Sequence, residues 1–139
     1  VRPALCERTI VRLEPGRWRD RARRWQRVAR EAAKQSGRAV VPEVEMPQPL
    51  SECLGPAADL ALCLWEGGGE PLGSVLAAAG APGTATVIVG PEGGLARAEV
   101  DAARAAGVSV VSLGHRILRT ETAGPAFVSI LQSRLGDLR

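Results

Sequence analysis

Apolar and polar positions follow two different spacings along the chain, which predict helices and strands in turn. In residues 17–35 the apolar side chains recur every three or four positions and form one stripe, as on the buried face of a helix. Gly37 and Pro42 end this helix. Residues 60–65 form a continuous apolar run, and residues 84–89 form a run rich in β-branched residues. Both runs predict buried parallel strands.

The remaining segments continue this alternation. We expect short helices that begin near Ser51 and at Pro71, a helix over residues 96–106, a strand over 108–113 and a last helix over 121–135. Pro125 would lie in the first turn of that last helix, where proline is tolerated. Repeated strand–helix units predict an α/β fold, with a parallel sheet that helices cover on both faces.

Three glycine-bearing loops follow the three main predicted strands. They comprise residues 66–69, 90–94 and 114–120. Ligands of open parallel sheets bind beyond the carboxyl ends of the strands. If the three strands are neighbours, their loops converge on one edge of the sheet, and we predict a binding site there.

Composition narrows the class of protein. The 139 residues suffice for about one domain, and no apolar run approaches the ~20 residues that span a bilayer. The first thirteen residues lack the apolar core of a signal peptide. These features predict a soluble, cytosolic protein. Cys6, Cys53 and Cys63 form no CxxC pattern, and the single histidine is His115, so we expect no metal site.

The net charge of +3 is modest, but residues 17–30 carry many arginines and a single acid, Asp20. This concentration is compatible with a surface that faces phosphates. A solvated helix face would show the same pattern. The sequence leaves both interpretations open.

The loop at residues 90–94 reads GPEGG. It is neither the dinucleotide-binding pattern GxGxxG nor a P-loop. Its glycines would let the backbone approach a ligand closely, while Pro91 stiffens the turn and Glu92 offers a carboxylate. A tight strand-to-helix turn without a ligand explains these five residues equally well.

Residues 113–123, LGHRILRTETA, are more unusual. Arg116, Arg119 and Glu121 surround the apolar pair Ile117 and Leu118, between a strand and a helix start. Apolar residues in a loop are expected to line a pocket or a subunit contact.

Other residues of this segment have ordinary explanations. Thr120 or Glu121 could instead cap the N-terminus of the last helix. His115 would suit a general base, but a lone loop histidine is more often inert, and we leave it out of the catalytic set.

Together the two motifs resemble the RsmE family of 16S ribosomal RNA (uracil-N3)-methyltransferases, in the SPOUT superfamily. The GPEGG segment of that family matches residues 90–99, its LG-x-RILR-x-ETA segment matches 113–123, and its closing helix matches 131–138. An upstream segment matches at Trp25, Glu31, Ala32, Gln35, Gly37, Arg38 and Pro42. The resemblance covers nearly the whole chain.

The resemblance implies a Rossmann-like parallel sheet whose C-terminal third forms a trefoil knot, a homodimer, and S-adenosylmethionine as cofactor. It implies 16S rRNA in the small ribosomal subunit as partner, with Gln35 and Arg38 on the RNA side. The implied cofactor-binding residues are Leu64, Trp65, Glu66, Gly67, Gly90, Pro91, Glu92, Gly93, Gly94, Leu113, Gly114, Ile117, Leu118, Arg119, Thr122 and Ala123.

The chain also departs from this family. We expect residues 1–139 to form a SPOUT methyltransferase domain without the N-terminal PUA-like domain of the family and with the first strand and helix of the methyltransferase domain missing or cut. Ala96 stands where the family usually has a capping serine. Loss of that cap would cost about 1 kcal/mol.

The implied reaction assigns roles to two residues. Methylation of uracil N3 requires that an imide proton leave, so a base or an anion-stabilising cation would help. Arg119 is our candidate for stabilising the anion or holding phosphate, and Glu121 is our candidate base. Two alternatives remain: a SPOUT methyltransferase that acts on another RNA position, and a non-catalytic, dimerising RNA-binding relic.

Overall fold

The computed structural model describes residues 1–11, 14–54 and 58–138. In this part of the chain, helices and strands alternate, except that β4 follows β3 with no helix between them. The elements are β1 (Ala4–Leu5), α1 (Pro15–Gln35), β2 (Gln48–Pro49), α2 (Leu50–Cys53), β3 (Leu60–Leu64), β4 (Glu70–Pro71), α3 (Leu72–Ala78), β5 (Ala85–Val89), α4 (Arg97–Ala105), β6 (Ser109–Ser112) and α5 (Thr120–Leu135).

The chain divides into two compact units. The first comprises Val1–Leu5 and Ile10–Cys53. In it, β1 pairs with β2 in parallel, and α1 buries Ala22 and Ala33. Helix α1 begins with a proline, whose fixed φ suits a first turn, and ends before Gly37, which has a φ of 69°. The predicted helix over residues 17–35 is therefore confirmed.

The second unit comprises Cys6–Thr9 and Leu54–Arg139 and contains a four-stranded parallel sheet. Its strand order is β4-β6-β3-β5. The central strand β3 pairs Leu62 with Val87 of β5 and with Ser109 of β6. The three main predicted strands are therefore neighbours, and their carboxyl ends share one edge.

Helices cover both faces of this sheet, as predicted. On one face, Leu62 and Val111 pack with α3 and with Phe127 of α5 in a buried apolar cluster. Cys63 and Val110 point to the opposite face because successive strand residues alternate. Helix α4 contacts β6 and buries Val100 and Ala103, which lie outside the first apolar cluster.

The structure differs from the sequence-based expectation in two respects. Strands β1, β2 and β4 were not predicted, because two residues are too few to show any periodicity. Helix α5 begins at Thr120, so Pro125 is its sixth residue and lies in the second turn, not in the first. Proline has no N–H group, so the carbonyl of Glu121 loses its usual helical donor.

No helix among the described residues is both long and apolar enough to cross a membrane.

Candidate functional site

A pocket of about 770 Å³ lies in the second unit, where β3, β5 and β6 end. All three glycine-bearing loops contribute to its wall, which confirms that they converge on one edge of the sheet. Its volume falls in the range of ~300–1,000 Å³ that small-molecule sites occupy. The pocket is therefore the candidate functional site.

The GPEGG loop forms one wall of the pocket and is closely packed against its neighbours. Gly94 has a φ of 72°, and a Cβ there would collide with the carboxylate of Glu66. A Cβ at Gly93 would lie 2.9 Å from the carbonyl oxygen of Arg8. The amide of Gly94 donates to the carbonyl of Pro91 at 2.8 Å and closes the turn. The loop is thus both a tight turn and a ligand-facing wall.

The segment after β6 forms the facing wall and is tied to the first. The hydroxyl of Thr120 donates to the carbonyl of Gly90 at 3.2 Å. Arg119 is the N-cap of α5, and no side chain makes a capping hydrogen bond there. The explanation of Thr120 as a helix cap is therefore wrong, because its hydroxyl bridges the two loops instead.

Arg119 and Glu121, the two candidate catalytic residues, stand side by side at the pocket. Arg119 Nη1 lies 3.9 Å from Glu121 Oε1, and their side chains are 84% and 66% exposed. An ion pair this long and exposed contributes little stability. Both groups can therefore exchange this contact for one with a ligand. Glu121 also lies in the first turn of α5, where a negative charge is favourable.

The indole of Trp65 is held by α4. The guanidinium carbons of Arg97 and Arg104 lie 5.5 Å and 5.6 Å from the centre of its ring. Asp101 pairs with both arginines, at 3.3 Å and 3.0 Å. Gly67 lies against the same ring, and a Cβ there would clash with it. Gly67 therefore accommodates Trp65, and it is not among the residues that line the pocket.

Most of the residues proposed from the sequence for the cofactor do line the pocket. The exceptions are Gly67 and Thr122. Gln35 and Arg38 lie at the end of α1 and just beyond it, in the first unit, and both are exposed. The pocket also includes residues that were proposed neither for the cofactor nor for catalysis: Gly68, Val89, Ser112, His115, Arg116 and Thr120.

One segment that lies next to the site was not predicted from the sequence. The turn Cys6–Thr9 lies against it: Arg8 Nη1 donates to the carbonyl of Gly93 at 3.4 Å. The amide of Glu7 donates to Glu99 Oε1 at 2.8 Å. These contacts join residues more than eighty positions apart, so no local pattern could have indicated them.

The described residues also bear on metal binding and on thiol chemistry. Within the described ranges, no group of three His, Cys, Asp or Glu side chains is placed to hold a metal ion. Burial raises the pKa of the Cys63 thiol to about 11, so this group is protonated at neutral pH. Cys63 therefore has the properties of a core residue and not of a nucleophile.

Comparison with known proteins gives a consistent result. The family model described as an RNA methyltransferase domain matches residues 1–132. The ribosomal RNA small subunit methyltransferase E of Synechocystis is 38% identical over 125 residues, which is 87% of this chain and 40% of that protein. The Aquifex aeolicus protein of the same name is 35% identical over 132 residues, which is 94% of this chain and 55% of that protein. The chain thus spans about half the length of the curated relatives it matches.

Solved structures agree. The ribosomal RNA small subunit methyltransferase E of Neisseria gonorrhoeae, bound to S-adenosylmethionine, superimposes with a TM-score of 0.87 at 36% identity. The match covers 99% of this chain and 56% of that one. A Legionella pneumophila protein with S-adenosylmethionine bound gives a TM-score of 0.89 at 30% identity, over 98% of this chain and 55% of that one. The resemblance to the RsmE family is thereby confirmed, and the chain belongs to the family of RNA methyltransferase domains.

Proposed function

We propose that this chain binds S-adenosylmethionine in the pocket and transfers its methyl group to N3 of a uridine in 16S rRNA. The observation that carries the proposal is that GPEGG and LGHRILRTETA, far apart in sequence, form facing walls of one pocket. The rRNA methyltransferase names of the relatives support the choice of substrate.

The residues of the pocket fit this cofactor. Backbone at Gly93 and Gly94 leaves no side chain in the way. Three carboxylates and two arginines line the pocket, a balance that suits a ligand with a net positive charge: Glu66, Glu92, Glu121, Arg116 and Arg119. The apolar pair Ile117 and Leu118 offers a surface for a flat base. When bound, the cofactor supplies an electrophilic methyl group on a sulfonium.

The chain contributes positioning and control of a proton. A methyl transfer proceeds in line, so alignment of the two reactants is worth several powers of ten in rate. Glu121 takes the imide proton from uracil N3 as general base. Arg119 stabilises the negative charge that develops on the uracil, or holds a neighbouring phosphate. The contact between these two side chains places the base beside the cation.

Three further features belong to this proposal. The C-terminal third of the chain is threaded as a trefoil knot, whose loops hold the cofactor. Two copies form a homodimer, for which the exposed Val128 and Ile130 on α5 are candidate contacts. Gln35 and Arg38 contact the RNA of the small ribosomal subunit, in the cytoplasm. All three are implied by the resemblance to the RsmE family, and the match to RNA methyltransferase domains supports that resemblance.

The test is methylation of 16S rRNA in small subunits by this chain, followed by mass spectrometry of the nucleosides. We expect 3-methyluridine, and we expect Arg119→Ala to lower its rate of formation by about 100-fold, as loss of a transition-state donor does. Arg134→Ala, an exposed arginine on α5, is the control and keeps the rate. Full turnover by Arg119→Ala would remove Arg119 from the mechanism. A different methylated nucleoside would indicate another RNA position.

A further inference from the structure

Helix α1 concentrates the positive charge of the molecule. Over Pro15–Gln35 it carries eight basic residues and two acidic ones, a net charge of +6. The whole chain has a net charge of +3, so the remaining residues sum to −3. The excess charge is therefore a property of one helix and not of the surface in general.

Five of these basic residues form a single stripe. Arg19, Arg23, Arg27, Arg30 and Lys34 are spaced by four, four, three and four residues, and we call them the basic stripe. At 3.6 residues per turn such positions share one face. All five are exposed, and Arg19 to Arg30 span about 16 Å along the axis. That length suffices to follow several phosphates of one strand.

The basic stripe is only partly neutralised. Arg23 lies 3.6 Å from Asp20, and Lys34 lies 3.0 Å from Glu31. Within the described part of the chain, Arg19, Arg27 and Arg30 make no ion pair. Like charges three or four residues apart destabilise a helix by a few tenths of a kcal/mol per pair. A row of like charges that destabilises its own helix is expected where an anionic partner binds the row and offsets the repulsion.

We infer that the basic stripe binds the phosphate backbone of the RNA substrate. This inference rests on the proposed function and adds a contact surface to it. Arginine suits the role because its guanidinium stays charged and can donate two hydrogen bonds to one phosphate. Such contacts position the RNA without reading its sequence.

An anionic lipid surface is the competing partner, and the structure argues against it. A helix that lies on a membrane inserts its apolar face between lipids. Most of the apolar face of α1 is used within its own unit: Ala22 and Ala33 are buried and Trp18 and Trp25 are partly buried, which leaves Val28 as an exposed large apolar residue of the helix.

The test is the salt dependence of RNA binding. A fluorescein-labelled single-stranded fragment of 16S rRNA is titrated with the unsubstituted chain and with the double variant Arg27→Gln/Arg30→Gln, at several salt concentrations. Each lost phosphate contact lowers the slope of log affinity against log salt by about 0.7. We therefore expect the slope to fall by about 1.4, and the affinity near 0.15 M salt to fall about tenfold.

The control is Arg2→Gln/Arg134→Gln, which removes the same charge outside α1. If the basic stripe binds RNA, this control changes the slope by much less than the α1 variant. Equal effects of the two variants would overturn the inference, as would an unchanged slope in the α1 variant. Stripe-dependent binding to phosphatidylserine vesicles, with RNA affinity unchanged, would overturn it in favour of lipid.

Titration of S-adenosylmethionine into the same proteins separates this inference from the proposed function. The α1 variant should bind the cofactor like the unsubstituted chain, because α1 does not line the pocket. Stripe-dependent RNA binding by a chain that binds no cofactor would contradict the proposed function and leave the RNA surface standing.

Discussion

Individual glycines determine how closely the pocket wall is packed. Gly94 meets two requirements at once, since its φ is positive and the carboxylate of Glu66 occupies the space that a Cβ would fill. Gly93 approaches the backbone of Arg8 in a similar way. The backbone of the wall is therefore packed against Arg8, which does not line the pocket, and against Glu66, which does. A side chain at Gly94 would displace the carboxylate of Glu66, which lines the pocket, or shift the loop itself.

Gly94→Ala tests this packing. A left-handed backbone costs roughly 1–2 kcal/mol for an L-residue, and the clash adds to it. We expect affinity for S-adenosylmethionine to fall by more than about tenfold, measured by calorimetry. Gly73→Ala is the matched control, because Gly73 lies within α3 with open space around it. It should keep the affinity and stabilise the fold by roughly 0.5–1 kcal/mol. Full affinity in Gly94→Ala would refute the packing argument.

The buried thiol of Cys63 makes the free energy of unfolding depend on pH in the alkaline range. Its folded pKa of about 11 lies above the ordinary value of 9.0. The stabilisation linked to this thiol is therefore complete below about pH 9 and is lost as pH rises toward 11. The chain has no tyrosine and one lysine, Lys34, but burial also raises the pKa of the Cys53 thiol, so the loss that belongs to Cys63 must be measured against a Cys63→Ala variant.

Urea unfolding between pH 8 and pH 11 measures this effect. We expect the free energy of unfolding to fall across that window, and the fall to be smaller in Cys63→Ala. In the folded protein at pH 8, Cys63 should be the last thiol to react with a disulfide reagent. Rapid modification of Cys63 before unfolding would show that the thiol is not buried.

At the residue level, sequence located the pocket loops but not the direction of every side chain. Gly67 follows a strand like the other loop glycines, yet it accommodates the Trp65 ring. Thr120 reads as a helix cap, yet its hydroxyl reaches Gly90, thirty residues away. Such contacts depend on which loops become neighbours in space. That information is absent from a local pattern.

At the scale of single elements, the start of α4 shows how one polar side chain substitutes for a missing cap. Ala96 is the N-cap and has no oxygen to offer the first turn. Glu99 Oε2 accepts from the amide of Ala96, and Glu99 Oε1 accepts from the amide of Glu7, both at 2.8 Å. Half of a capping box is therefore present, and it also anchors the turn at residues 6–9.

Ala96→Ser should complete the box. Its hydroxyl could accept from the amide of Glu99, and we expect the free energy of unfolding to rise by about 1 kcal/mol in urea titrations. Ala102→Ser, at an exposed position inside α4, is the matched control. It should lower the free energy of unfolding by a few tenths of a kcal/mol. A destabilised Ala96→Ser variant would indicate that the buried N-cap position has no room for an oxygen.

The elements divide by length into those that sequence could and could not predict. Helix α1 and strands β3, β5 and β6 have enough residues for a helical or an apolar pattern to emerge. Strands β1, β2 and β4 have two residues each and exist only because partners lie beside them. Their formation is a tertiary effect, so no single-sequence pattern indicates them.

For the whole molecule, the proposed homodimer makes a direct prediction. Light scattering should give twice the chain mass of 14.6 kDa. Val128 on α5 is 44% exposed, and burying a charge at an interface is costly. We expect Val128→Glu to shift the molecule toward the monomer, whereas Ser133→Glu, also exposed on α5, should shift it less. A monomeric unsubstituted chain at micromolar concentration would contradict the dimer.

The central claim is that three loops at one edge of a parallel sheet form a site for S-adenosylmethionine. The most direct measurement is a calorimetric titration of that cofactor into this chain. The proposed function predicts saturable binding at one site per chain, weakened by Gly94→Ala and retained by Gly73→Ala. Absence of binding in the folded, unsubstituted chain, or equal binding by Gly94→Ala, would contradict it.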